Sequence, residues 1–425
     1  MTEPRLFHFV RPYYREPLLI SHASGCEVFD GKGRAWLDAY AGVASISVGH
    51  SHPAVTARVQ DQIGRLNHCT MLYQTRPLLD YLQAIQQELP HHLNRHFFVN
   101  SGSEAMDFAC QATRAHRQKP LLIAFTEGFH GGSFQAASVT GLPAWQPVYG
   151  ADPNVAFVPI SSCRFCPHYA DERLRTKRRP PLLHQCPGEC LDPFEKLLRE
   201  RASETAAVLL EPVLGVGGIL VPCLGFFERL QALIDQYQVD LICDEVQSGF
   251  GRLGHQLFGF QLFHLRPQIV CLAKGIANGY PMGLVSATEE ISAAMGAKPH
   301  FSTFGGNPVS CAAAMGTLEV LHRENLILNA QNTGEHLLQL LDEYLLLSLA
   351  VVEIRGLGLM IGLELDSPER ALRVLEEAYQ RGLLVGLGGR ERNVIRLEPP
   401  LTFTPEMAQR TAETLAAAIQ ATQTP

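Results

Sequence analysis

The stretch Asp240-Leu241-Ile242-Cys243-Asp244-Glu245-Val246-Gln247 and, beyond an aromatic loop, Ile269-Val270-Cys271-Leu272-Ala273-Lys274-Gly275 decides how this chain is read. Each apolar run is short and bounded by turn signals, as a buried strand of an α/β sheet would be. The first delivers Asp244 to its C-terminal end, and the second delivers Lys274, followed at once by glycine. Ligands of open α/β sheets sit outside the carboxyl ends of the strands. A carboxylate and an amine at two such ends suggest a site that needs one of each. Taken alone, Asp244 reads as a strand-end cap and Lys274 as a solvated charge; the pair, with SGFGR and GIANGYPMG following, favours a site.

A lysine amine condenses with an aldehyde to a Schiff base, and pyridoxal phosphate is the common aldehyde cofactor. Its ring works as an electron sink while the ring nitrogen stays protonated, which a buried aspartate enforces. Here a resemblance becomes specific. DEVQSGFGRLG (244–254), LAKGIANGYPMG (272–283) and HFSTFGGNP (300–308) resemble the class III aminotransferases, and the likeness runs from Gly49-His50 through Arg396. NGYPM and GLLVG look closest to the branch containing the mitochondrial alanine–glyoxylate aminotransferases. The resemblance implies an α/β chain of the pyridoxal-phosphate transferase fold type I. A large domain (66–305) would hold a mostly parallel sheet covered by helices. A smaller α+β domain would be built from both chain ends (1–65 and 306–425).

Composition sets the bounds. A chain of 425 residues can bury a large core, and 46% hydrophobic with 18% charged residues describes an ordinary globular protein. A net charge of −7 gives no reason to expect nucleic-acid binding. Residues 1–17 carry charges throughout and no apolar core, and no apolar stretch approaches the length of a membrane span, so a cytoplasmic enzyme is expected.

Along the chain, Val28 to Asp38 places a DGKG turn between two short runs, a hairpin. His50 and His52 read as loop residues of the next segment. From His96 to Lys274 strands alternate with helices, the pattern of a largely parallel sheet. Asn100-Ser101-Gly102-Ser103 turns a strand into a helix, and a helix N-terminus offers free N–H groups and a favourable dipole for phosphate, although the same letters make an ordinary N-cap. Cys163-Arg164-Phe165-Cys166 and Cys186-Pro187-Gly188-Glu189-Cys190 form an odd insertion (161–191). Thiolates at this spacing can reach one tetrahedral zinc, an iron–sulfur cluster is also conceivable, and idle surface cysteines are the plain alternative. Arg396 stands among apolar residues on a short strand, where its fork either reaches solvent or serves a carboxylate.

The resemblance implies roles for these positions. Lys274 is the Schiff-base lysine and general base, and Asp244 the partner of the ring nitrogen. Ser101, Gly102 and Ser103 bind the cofactor, Gly102 and Ser103 at its phosphate, with Thr303 reaching the phosphate from the other subunit of a dimer or tetramer. Phe129, where the family usually has tyrosine, and Val246 sandwich the ring. His130 and Gln247 complete the cofactor contacts, Gln247 at the phenolic oxygen. Arg396 grips the substrate α-carboxylate, and Glu211 masks Arg396 when a substrate has none. The expected reaction is transfer of an amino group from an amino acid or ω-amine to a 2-oxo acid (glyoxylate, pyruvate or 2-oxoglutarate). Lyases, decarboxylases and racemases share such a cofactor site, and a non-catalytic metal-binding relative rests only on the cysteines. A nicotinamide dehydrogenase is disfavoured, since no G-x-G-x-x-G follows an N-terminal strand.

Overall fold

The computed structural model describes residue 7 and residues 13–160, 162–163, 186–296 and 298–422. Seven strands form the central sheet: β4 (Arg95–Val99), β5 (Leu121–Phe125), β6 (Val155–Val158), β7 (Thr205–Leu210), β8 (Asp240–Asp244), β9 (Ile269–Leu272) and β10 (Gly283–Ala287). Their spatial order is β4-β10-β9-β8-β7-β5-β6. Every residue of β5, β7, β8, β9 and β10 is buried, because helices cover both faces; this is why these strands read as unbroken apolar runs. The pairs β5–β6, β5–β7, β7–β8 and β8–β9 are parallel, so these strands end on one edge, and Asp244 and Lys274 emerge there side by side.

β10 is the strand the sequence reading passed over. It runs antiparallel between β9 and β4, with Leu284 opposite both Leu272 and Phe98. Five small and aliphatic residues directly after NGYPM give no periodicity to separate strand from loop. Its effect is to bring β9, and the lysine that follows it, into the interior of the sheet rather than to an edge.

Two smaller sheets flank this core. β1 (Ile20–Ser24), β2 (Glu27–Asp30) and β3 (Ala35–Asp38) form the antiparallel hairpin and its continuation, and β3 pairs in parallel with β13 (Leu383–Leu384). The two ends of the chain therefore share one sheet. The other sheet consists of β11 (Val351–Leu357), β12 (Met360–Leu365), β14 (Gly386–Gly388) and β15 (Val394–Leu397), in the order β11-β12-β15-β14. The helix Pro308–Arg323 opens with proline in its first turn, and the Asn307 side chain accepts from the amides of Val309 and Ser310. Eleven of its residues are buried, matching an Ala-rich sequence apolar on most sides. Among the described residues no helix is long and apolar enough to cross a membrane.

Candidate active site

The carboxyl edge of the central sheet opens into a cavity of about 280 Å³. Lys274 lines it at the start of a short 3-10 turn (Lys274–Ala277), directly after β9. Its φ of +45° lies in the left-handed region, uncommon for a residue with a Cβ and a form of backbone strain that clusters at functional sites. Burial lowers the Lys274 amine from 10.5 to about 8, against the opposing pull of the Glu398 carboxylate.

Asp244 ends β8 and is 4% exposed. Its Oδ1 accepts from the Val246 amide at 3.1 Å, and its Oδ2 lies 2.7 Å from Nδ1 of the buried His130. Burial by itself would lower the His130 pKa; the hydrogen bond to Asp244 and that carboxylate's charge outweigh it, and the net direction is upward. A hydrogen bond of this kind holds the Asp244 side chain in one orientation.

The helix Gly102–Arg117 starts at the cavity wall. Ser101 caps it, its Oγ accepting from the Glu104 amide at 3.2 Å, while the first-turn amides of Gly102 and Ser103 have no intrahelical acceptor. The loop 128–132 packs on this start: Gly132 N donates to Ser103 Oγ at 3.0 Å. A Cβ on Gly131, at φ +134°, would lie 2.4 Å from that same oxygen, so only glycine fits. Across the cavity, a Cβ on Gly102 would press on the Val246 methyls at 3.0 Å. Phe129 stands on the other side, edge-on to Trp145 at 5.3 Å between centroids. The cavity is thus lined by Phe129 and Val246, by the helix start at Gly102 and Ser103, and by Asp244 and Lys274. These are the groups that a phosphorylated aromatic aldehyde with a basic ring nitrogen requires, so pyridoxal phosphate fits the residues present.

The second cluster lies on β14 and β15. Arg396 Nη2 donates to Glu398 Oε2 at 2.7 Å and to Gln247 Oε1 at 2.6 Å, and Nη1 reaches the Tyr40 hydroxyl at 3.3 Å. The guanidinium also sits 5.5 Å from the Tyr40 ring centroid. Gly386 pairs with Arg396 in register, and Cβ atoms on Gly386 and Gly388 would collide with the Tyr40 ring (2.1 Å) and with Arg396 Cδ (2.4 Å). The two glycines are a floor on which both side chains lie.

Glu211 makes no hydrogen bond to Arg396 in this structure. Its Oε1 accepts from the Phe129 amide (2.8 Å) and its Oε2 from the Gly215 amide (2.9 Å), which fixes it beside the Phe129 loop. Burial raises its pKa to about 7. The carboxylate on Arg396 is Glu398, two residues further along the same strand direction and absent from the sequence reading. The signal for it was present, since residues i and i+2 of a strand share a face. Gln247 likewise spends its carbonyl oxygen on Arg396. Nor is His50 an idle loop residue: its Nε2 meets Asp38 Oδ2 at 2.8 Å, and Asp38 Oδ1 accepts from the amides of Tyr40 and Ala41. His52 caps the helix Pro53–Arg65 by accepting from the Ala54 amide.

Thr303 lies exposed on the surface, outside the cavity of its own chain. Of the four insertion cysteines, Cys166 lies outside the described residues. Among those described, no group of three or more His, Cys, Asp or Glu side chains could hold a metal ion, so the zinc expectation gains no support. Cys163 is hydrogen-bonded to Cys223, a thiol in no disulfide and outside the paired-cysteine spacing, and this contact together with burial pushes the Cys163 pKa up.

The comparisons with known proteins agree with this geometry. The sequence pattern of the family "Aminotransferase class-III" matches residues 10–419. The acetylornithine aminotransferase of Methanothermobacter thermautotrophicus is 36% identical over 93% of this chain and 92% of its own. The human mitochondrial alanine–glyoxylate aminotransferase 2 is 34% identical over 93% of this chain and 80% of its own. Among solved structures, an amine transaminase from an uncultivated Pseudomonas species, with pyridoxal phosphate bound, superposes with a TM-score of 0.89 at 26% identity, covering 99% of both chains.

Proposed function

This chain belongs to the class III aminotransferases and is a pyridoxal-phosphate-dependent transaminase; from that premise we propose which residues carry the reaction and what they act on. When bound, the cofactor supplies the aldehyde and an electron-withdrawing ring over which charge at the substrate carbon is spread. Gly102 and Ser103 receive its phosphate, Phe129 and Val246 enclose its ring, and Asp244 stands at its ring nitrogen. His130, behind Asp244, keeps that carboxylate oriented.

Lys274 is the residue that moves protons. With its pKa brought to about 8, a substantial share of the amine is neutral near pH 8 and can take the proton from the amine-bearing carbon of the donor. The same amine returns a proton in the reverse half, when the 2-oxo acid receives the amino group. Arg396 is the group that meets the acceptor carboxylate. The donor is an amino acid or ω-amine and the acceptor a small 2-oxo acid, with glyoxylate or pyruvate suggested by the alanine–glyoxylate relative.

The enzyme works as a homodimer in this reading. Leu72, Tyr73, Phe301 and Phe304 are all exposed on this chain. Their segments adjoin, with Ser302 N donating to Met71 Sδ at 3.4 Å and Phe304 lying 5.0 Å from the His68 ring. An apolar patch of this kind on two packed loops marks a contact surface, and Thr303 lies within it.

The observation that carries the residue roles is the convergence of Lys274, Asp244 and the Gly102 helix start on one cavity. The test is the absorption spectrum of the purified protein, with and without amino donors. The wild type should show the coloured lysine-bound cofactor, bleached by a productive donor. Lys274→Ala should lose that band and at least about a thousandfold in transamination rate, as removal of both the covalent anchor and the proton carrier predicts. A Lys274→Ala protein with wild-type colour and turnover would sink the assignment.

A further inference from the structure

Two stretches of left-handed backbone meet behind the cavity. Ala41, Gly42, Val43 and Ala44 run at φ of +49°, +58°, +63° and +58°, a left-handed turn in which three of the four residues carry a Cβ. The Ser45 amide donates to Ala41 O at 2.8 Å across this turn, and the Asp38 carboxylate, held by His50, accepts from the amides that enter it. The second stretch is the Lys274–Ala277 turn, entered at Lys274 with φ +45° and left at Asn278 with φ +48°.

The residues that follow the first turn lie against the second. Ser47 Oγ donates to Gly275 O at 3.1 Å. The Val48 amide donates to Asn278 Oδ1 at 3.0 Å, and Asn278 Nδ2 donates to Gly49 O at 2.9 Å. Cβ atoms on Gly275 and Gly279 would lie 2.6 Å from Ser47 Oγ and 2.9 Å from Ile46 Cδ1, so the two segments touch along their length. Ser47 and Asn278 are both buried, and Ser47 O accepts from the Leu401 amide at 2.7 Å, which fixes the clamp to the rest of the fold. A residue with a Cβ stays left-handed only where its surroundings impose it. Here three hydrogen bonds grip the turn just after Lys274 and at its exit.

We infer that Asn278 and Ser47 are positioning residues for Lys274: by tying its turn to residues 47–49 they hold the lysine in its left-handed conformation and aim its amine into the cavity. The inference rests on the reading of Lys274 as the lysine that carries the cofactor. Asparagine suits position 278 on two counts. It tolerates positive φ, and its amide can accept from one backbone group while donating to another. Released from the clamp, Lys274 relaxes towards ordinary backbone angles, which turns its Cα–Cβ bond and draws the amine from its buried place.

The test compares full-length variants freed of cofactor. Asn278→Gly keeps positive φ accessible and removes two hydrogen bonds; Ser47→Ala removes one. Gln231→Ala, which strips the Arg266 amide of a buried acceptor far along the chain, is the comparison for general loosening. One readout is the pH profile of Lys274 acetylation by acetic anhydride, followed by mass spectrometry. The other is the rate at which added pyridoxal phosphate forms the lysine-bound band, as the amine adds to the aldehyde and water leaves. Wild type should label with a midpoint of about 8. In Asn278→Gly the midpoint should rise towards 10.5 by about one unit, and band formation should slow about ten- to a hundredfold. Ser47→Ala should move both readouts the same way, the rate by about threefold, and Gln231→Ala should move neither.

Glu398, Arg396, Asp244 and Glu211, the charges that act on the amine, are intact in all three variants, so a moved midpoint reports the turn. Wild-type profile and rate in Asn278→Gly and Ser47→Ala overturn the proposal. A change in only one readout overturns it too, since a displaced amine must alter both. Equal changes in Gln231→Ala assign them to loosening of the fold and overturn it as well. Should Asn278→Gly not fold, Ser47→Ala decides alone on the same two readouts. Failure of the lysine's own role is seen separately, as a Lys274→Ala chain that forms the band at the wild-type rate.

Discussion

The floor and the roof of this site are built on opposite plans. At the floor, Asp244 and Lys274 follow two adjacent parallel strands, and each keeps its reactive group turned to the cavity. At the roof, Arg396 and Glu398 are turned to each other, with Gln247 sharing Nη2 and Tyr40 facing Nη1. The floor holds its charges at a cost. Lowering a lysine from 10.5 to about 8 means that its buried state disfavours the proton by on the order of 3 kcal/mol. The sign is that of a base with a depressed pKa: the penalty is absent above pH 10.5 and complete below about pH 8. At the roof the Glu398 carboxylate offsets the burial of Arg396, whose pKa is raised on balance. A floor prepared in this way waits for a bound group, whereas the roof discriminates among groups that arrive.

The comparison breaks most readily at the floor. Asp244→Asn keeps the size of the side chain but removes the anion that faces His130 and, in the proposed role, the ring nitrogen. Transamination should fall about a hundred- to a thousandfold with little change in fold, read as kcat/KM beside an unaltered circular dichroism spectrum. His130 should titrate lower in this variant by proton NMR, because the Asp244 carboxylate that chiefly raises it is gone. A loss below about threefold would remove Asp244 from the chemistry.

The roof should give a smaller and more selective effect. Gly388→Ala sets a methyl 2.4 Å from Arg396 Cδ, and the arginine must move from its floor. Overpacking of this kind costs about 1–3 kcal/mol, so KM for the 2-oxo acid should rise about tenfold or more while the amine half-reaction changes little. Equal losses in both half-reactions would show that the two clusters are not separable.

The smallest effect sharpens the comparison by removing a carboxylate that belongs to neither. Glu245 is buried behind the floor, its oxygens accepting from the Phe260 amide and the Ser248 hydroxyl, and burial raises it from 4.5 to about 7. The folded protein therefore holds a proton that the unfolded chain releases. Stability from this group is complete below about pH 4.5 and is lost as pH rises towards 7. Glu245→Gln should make the apoprotein's stability less pH-dependent between pH 5 and 8, by up to about 3 kcal/mol in denaturant titrations. A variant with the wild-type slope would show that Glu245 is ionised without penalty in the fold.

How much of this was legible in the sequence follows from the same contrast. β5, β7, β8 and β9 are visible because strands buried on both faces must be apolar throughout, and their regular alternation with helices implies parallel order. Asp244, Lys274 and the Gly102 helix start are visible because each sits at a fixed offset from such an element, where a polar or glycine residue interrupts a regular pattern. β10 was not legible, since a five-residue run without periodicity becomes a strand only through the β4 and β9 edges that accept it. The cysteine spacing left zinc, a cluster and idle thiols open because sequence counts neighbours along the chain, and it gave no sign that Cys163 meets Cys223 across the fold.

The sequence by itself determined the buried parallel strands, the placing of Asp244 and Lys274 at their ends, and the family, because local patterns of burial and turn formation encode all three. Only the tertiary structure decided which carboxylate meets Arg396. Glu211 and Glu398 are equally acidic on paper. The fold sends one to the amides of Phe129 and Gly215, and lays the other beside the guanidinium on a two-glycine floor; a buried charge takes the partner that geometry brings within hydrogen-bond reach.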